Sequence, residues 1–172
     1  MKAFFYALLV VAGLFDGSAK TKDKSMDGLK IKVLQVSPSG TLTAEINNSS
    51  RGPIKIWKDS NSWGAARWRV SVINKGQLEI FFQNPNQDFT KNNPAFNELA
   101  PGAGTKQILD LNGGNWCGRG RCTLYSERRS GDERISFEAG DVLIVSYDVP
   151  ATIEARSMGV WYGVAGAFTA IK

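Results

Sequence analysis

The chain has 172 residues, with 21 Lys+Arg against 16 Asp+Glu, a net charge of +5, two cysteines and no histidine. Without histidine there is no Ser-His or Cys-His nucleophile pair and no histidine-ligated metal, and two cysteines alone cannot complete a four-ligand structural zinc site. Catalysis would have to rest on carboxylates, lysine or tyrosine. The acids are scattered without the spacing of a calcium loop, so the composition favours a protein that binds over one that turns over substrate, with no cofactor.

The N-terminus, "MKAFFYALLVVAGLFDGSAK", places Lys2 before an apolar run from Ala3 to Phe15, then the small residues Gly17 and Ala19. That is the order of a secretory signal, and the run is shorter than a bilayer-spanning helix requires. The expected division is a signal over 1–19, a polar lead-in over 20–27 and one domain over 28–172. Secretion bears on "NWCGRGRC", which holds Cys117 and Cys122. In an oxidising compartment such neighbours pair, so a disulfide stapling a turn is expected rather than a redox motif.

The domain then reads as strands. "LKIKVLQV" (29–36) sets Leu29, Ile31 and Val33 on one face, and "TLTAEI" (41–46) does the same with Leu42, Ala44 and Ile46, a hairpin across "SPSG". "IKIW" (54–57), "RWRVSVIN" (67–74) and "QLEIFF" (77–82) follow. Gln83 to Gly104 reads as a long irregular stretch rich in Asn and Pro, either a binding loop or an ordered crossover whose Phe89, Phe96 and Leu99 cap the core. Further strands are expected at 105–111, 123–125, 134–137 and 142–149, and as a glycine-spaced strand to the end, where Gly159, Gly163 and Gly166 suggest a bulge or a close backbone approach. "VLIVSYDV" (142–149) is apolar on both faces over Val142 to Val145, the mark of a central strand covered on two sides. No helical periodicity of useful length is present. Nine or ten short strands with turns between them predict an all-β, antiparallel β-sandwich in a single domain.

"INNSSRGPIKIW", followed by "ELAPGAGTKQILDL", resembles the immunoglobulin-like sandwiches of secreted proteins, where an Asn-Asn-Ser turn joins early strands and a Leu-x-Pro-Gly turn opens a later one. The resemblance spans roughly residues 40–150. It implies an immunoglobulin-like fold without the inter-sheet cysteine pair of antibody domains, and adhesion, matrix, inhibitor and glycan-binding roles all occur on that fold. "VLIVSYDVP" with the later "VWYG" faintly resembles the actinoporin-like cytolysins, which would imply a membrane-active protein.

Charge is uneven. Arg51, Lys55, Lys58, Arg67, Arg69 and Lys75 face a single acid, Asp59, so this window alone carries a surplus equal to that of the whole chain, and it contains Trp57, Trp63 and Trp68. If the strands at 54–57 and 67–74 were neighbours, Lys55, Trp57, Arg67 and Arg69 would share an outer surface, with Trp63 at a loop tip. Cations beside aromatic faces suit sulfated or carboxylated glycans and other polyanions. Nucleic acid is not an expected partner of a secreted chain of this charge, and membrane contact is the lesser alternative. Asn47 and Asn48 each open an Asn-x-Ser sequon in a turn and are candidates for N-glycosylation. The expected function is a secreted, matrix-associated binding module contacting polyanions or proteins. The alternatives are an inhibitor or defence protein acting through 83–104, or a cytolysin-like protein.

Overall fold

A computed structural model describes residues 28–84, 93–113, 116–118, 121–122 and 134–172. The signal and lead-in expected over 1–27, Phe89 and the strand expected at 123–125 lie outside the described residues. The chain is mostly β, with antiparallel sheets, as the alternating pattern predicted.

The first hairpin pairs β1 (Leu29–Ser37) with β2 (Thr41–Asn48). Leu29, Ile31 and Val33 point inward, and a strict period of two would then turn Val36 outward. A bulge between Val33 and Gln35 takes up the extra residue, Leu34, so Val36 faces Leu42 and rejoins the core side. The "SPSG" turn closes as expected, with Gly40 N donating to Ser37 O at 3.2 Å. Gly40 has φ 79, and a Cβ there would run into Ile135 and Asn112, so only glycine fits. β7 (Gly104–Asp110) pairs with β2 and completes a three-stranded sheet.

The second sheet has six strands in the order β11 (Gly163–Ala170), β10 (Val142–Val149), β4 (Trp68–Asn74), β5 (Gln77–Gln83), β8 (Trp116–Gly118) and β9 (Arg121–Cys122). Its inner face carries Trp68, Val70, Val72, Phe81, Leu143, Val145, Tyr147 and Ala165. These bury against Leu29, Ile31, Leu42, Ala44, Ile46 and Leu109 of the smaller sheet, with β1 lying over β11. Burial of this set is the main favourable term holding the two layers together.

Several expectations need correction. Residues 96–99 are not irregular: β6 (Phe96–Leu99) pairs with β3 (Ile54–Trp57) in a two-stranded sheet, with Leu99 buried in the core. Thus β3 is not a neighbour of β4. Residues 134–138 form no strand. Asn112 clamps them, its Nδ2 donating to Ser39 O and Ile135 O (both 2.8 Å) while Oδ1 accepts from Ile135 N (2.9 Å). The glycine-rich end is not one strand either. A six-residue helix, α1 (Ile153–Met158), precedes it, and Gly159 is that helix's C-cap, in the left-handed conformation at φ 65. The β10–β11 ladder has no bulge at Gly163 or Gly166. Finally, β10 is central in its sheet but covered on one face only, because Ile144 remains 41% exposed.

Candidate functional site

The tryptophans gather at one end of the sandwich, where β3, β6, the 58–66 turn, the start of β4, the end of β10 and the 158–162 segment meet. Trp57 is buried and packs on Trp63, with ring centroids 6.1 Å apart. Trp68 lies 5.2 Å from Tyr147, which stacks on Trp161 at 6.3 Å. Trp161 N donates to Lys55 O at 2.8 Å, joining the 158–162 segment to β3. The 58–66 turn is organised by Asn61, itself buried, whose Nδ2 donates to Ala95 O (3.0 Å) and whose Oδ1 accepts from Trp63 N and Gly64 N at 3.0 and 2.9 Å. Gly64 sits so close to the Lys58 carbonyl that any Cβ would collide with backbone.

Cations line this end, three of them against an aromatic ring or a carbonyl. Lys55 Nζ lies 4.4 Å over the Phe96 ring and donates to Met158 O at 3.4 Å. The Arg156 guanidinium lies 5.6 Å from the Tyr162 ring. Arg67 Nε donates to Trp63 O at 2.6 Å. Lys58 is exposed at the start of the turn. Phe96, Trp63 and Tyr162 are all partly exposed, so rings and cations share this surface. Two acids border it: Asp59 in the turn and Glu98, the exposed cross-strand neighbour of Lys55.

Beneath this surface two polar atoms, Tyr147 Oη and Trp161 Nε1, are buried without a hydrogen-bond partner among the described residues. Burial pushes the Tyr147 hydroxyl well above the ordinary phenol range; Asp59 adds to the rise and Arg67 opposes it. Desolvation lowers the Arg67 guanidinium, while Tyr147 and Asp148 pull it back. Desolvation also raises the Asp59 carboxyl to about 6. The residue as a whole stays exposed, so only part of its carboxyl environment is dry.

The expected surface is therefore assembled differently from the way the alternation suggested. Lys55, Trp63 and Arg67 are brought together, but Trp57 backs the surface from inside instead of lining it. Arg69 is on the outer face of the six-stranded sheet, paired with Asp148 at 3.3 Å. Sequence reasoning missed Phe96, Arg156 and Tyr162, which come from elements far along the chain. The dipeptide Trp161-Tyr162, five residues after Arg156, was the one available signal.

Asn47 and Asn48 differ sharply. Asn48 is fully buried: Nδ2 donates to Gly52 O and Leu99 O (both 2.8 Å), and Oδ1 accepts from Ser50 N and Oγ (2.9 and 2.7 Å). A glycan on that nitrogen is incompatible with this fold. Asn47 is half-buried on the outer face of the three-stranded sheet, where Nδ2 donates to Gly102 O at 3.2 Å. In the β8–β9 register Cys117 stands opposite Cys122, and no cysteine is a free thiol among the described residues. Among the described residues no group of His, Cys, Asp and Glu could hold a metal ion, and no helix is long and apolar enough to cross a membrane. No protein-family model, curated protein or solved structure matches the chain.

Proposed function

We propose that this protein is a secreted, non-enzymatic binding module of the extracellular matrix, an immunoglobulin-like sandwich whose tryptophan end takes the anionic groups of a sulfated or carboxylated glycan. The observation that carries this reading is the set of fixed cations at this end: Lys55 over Phe96, Arg156 beside Tyr162 and Arg67 bonded to the Trp63 carbonyl. Lys55 and Arg67 are partly buried and held in place, with exposed Arg156 beside its ring, so an incoming sulfate or carboxylate meets a positive surface that needs little ordering. Rings between the cations give sugar faces a flat apolar platform. In the same proposal Cys117 and Cys122 form the oxidised staple, and Asn47 alone carries a glycan.

Heparin-agarose tests the reading. The full chain is expected to be retained, and Lys58→Glu with Arg156→Glu to elute at clearly lower salt. A control of equal charge change on the three-stranded sheet, Lys30→Glu with Lys32→Glu, is expected to change elution much less. Equal losses in both variants would reduce the effect to net charge, and absence of retention would overturn the proposal.

A further inference from the structure

The outer face of the six-stranded sheet is the feature that the polyanion reading leaves unused. Leu78, Ile80, Phe82, Ile144, Val164 and Phe168 stand on it with 59, 50, 39, 41, 68 and 82% of their surfaces exposed. The register aligns them in rows across β11, β10, β4 and β5: Gly166–Ser146–Arg69–Phe82, then Phe168–Ile144–Ser71–Ile80, then Ala170–Val142–Ile73–Leu78. Ion pairs border the rows at both ends, Arg69 with Asp148 at 3.3 Å and Lys75 with Glu138 at 3.8 Å. An apolar centre with a charged rim is the anatomy of a protein interface. The sequence of β10 agrees, because it is apolar on both faces while the single chain covers only one.

We infer that this face packs against the same face of a second copy, about a two-fold axis running parallel to the strands between β10 and β4. Rotation about that axis keeps each residue in its row and exchanges β11 with β5 and β10 with β4. Every row then sets one copy's residue against a complement in the other. Phe82 meets Gly166, Leu78 meets Ala170, and Ile144 meets Ser71, so large side chains fall on small ones. Phe168 meets Ile80 and Val142 meets Ile73 as apolar pairs, and Arg69 meets Ser146 at the rim. Two sheets stacked about 10 Å apart in near-alignment interdigitate in this way.

The area is sufficient. Four strands about 4.8 Å apart, two of seven and two of eight residues, at about 3.3 Å per residue, give each copy a footprint on the order of 500 Å². Two copies bury roughly 1,000 Å² before side-chain relief is added, which reaches the threshold for a specific interface. A lipid surface would not use the size matching between rows, and it would have to accommodate Asp148 and Glu138 at the borders.

Sedimentation of the full chain tests this independently of glycan binding. The expected result is a concentration-dependent dimer, with Phe168→Asp and Ile80→Asp each weakening it by about 30-fold or more at unchanged circular dichroism. Cross-linking with a short bismaleimide fixes the geometry. Facing positions in sheets about 10 Å apart are too far for a direct disulfide but within its reach, whereas Ala170 and Leu78 of one chain lie three strands apart, about 14 Å. The double variant Ala170→Cys/Leu78→Cys is therefore expected to be linked into a covalent dimer, and Ala170→Cys/Phe82→Cys, which mixes rows, is not. The inference is overturned by a monomer at every concentration or a dimer indifferent to Phe168→Asp and Ile80→Asp. It is equally overturned by equal cross-linking of the two cysteine pairs, or by a monomer that binds phosphatidylcholine vesicles through Phe168 and Ile80.

Discussion

Asn48 shows how one side chain can hold a corner together. Its amide satisfies the Gly52 and Leu99 carbonyls and the N–H and hydroxyl of Ser50, while its backbone joins Ala103 and Gly102. Asn48→Ala strands several of these groups away from water, so the expected loss is about 2–3 kcal/mol, read from denaturant unfolding. The same burial means that peptide mass mapping of chain secreted from a eukaryotic host should find a glycan on Asn47 and none on Asn48. Asp59 works the other way. Its folded pKa of about 6 lies above the ordinary value of 3.8, so the fold binds that proton more tightly than the unfolded chain does. The stability contributed is full below about 3.8 and is lost as pH rises through about 6. Above that, the fold carries a partly desolvated carboxylate. Asp59→Asn should therefore be more stable than the parent at pH 7.5, by less than about 1 kcal/mol once solvent screening at an exposed residue is allowed for. The advantage should vanish below about pH 4, which thermal melts at the two pH values will show.

At the scale of elements, α1 depends on its ends. Thr152 Oγ1 accepts from Ala155 N at 3.1 Å, Glu154 occupies the first turn and Gly159 closes the helix. Six residues are too few to hold a helix by propensity, so Thr152→Ala should cost about 1 kcal/mol and loosen the 158–162 segment that carries Val160 and Trp161 into the core. Hydrogen exchange at Val160 and Trp161 would report that loosening. The helix also marks where the sequence stops being legible. Strands β1, β2 and β4 follow from alternation within a residue or two, because one buried face imposes a period of two; β5 also alternates, but its Leu78, Ile80 and Phe82 stand on the exposed face and only Phe81 is buried. α1 is too short to show a period of 3.6, and its signals are only a Thr, a Glu and a Gly at the right offsets. The β3–β6 pairing joins residues some forty positions apart, and no local pattern encodes it. That pairing also altered the site. Alternation alone makes Lys55 and Trp57 one exposed pair, but β6 and the 158–162 segment close over β3 from both sides, burying Trp57 and bringing Phe96 to Lys55.

For the whole molecule, the two proposals have a joint geometric consequence. Tyr147, Arg67, Trp68 and Trp161 stand where β10 ends and β4 begins, so the tryptophan end is one pole of the strands. A two-fold axis parallel to those strands leaves both poles where they are, so both tryptophan ends of a dimer point the same way, side by side. A long polyanion could then engage two cation–ring surfaces at once, and the second contact would be intramolecular. Short and long heparin fragments should consequently differ in affinity for the parent chain. The dimer-breaking variant Phe168→Asp, whose tryptophan end is untouched, should bind the short fragment like the parent and lose at least about tenfold on the long one. Calorimetry with fragments too short and long enough to bridge two copies will decide it. If the parent shows no length dependence while dimerising, the two ends do not act together. If Phe168→Asp weakens the short fragment equally, the apolar face belongs to the glycan site itself.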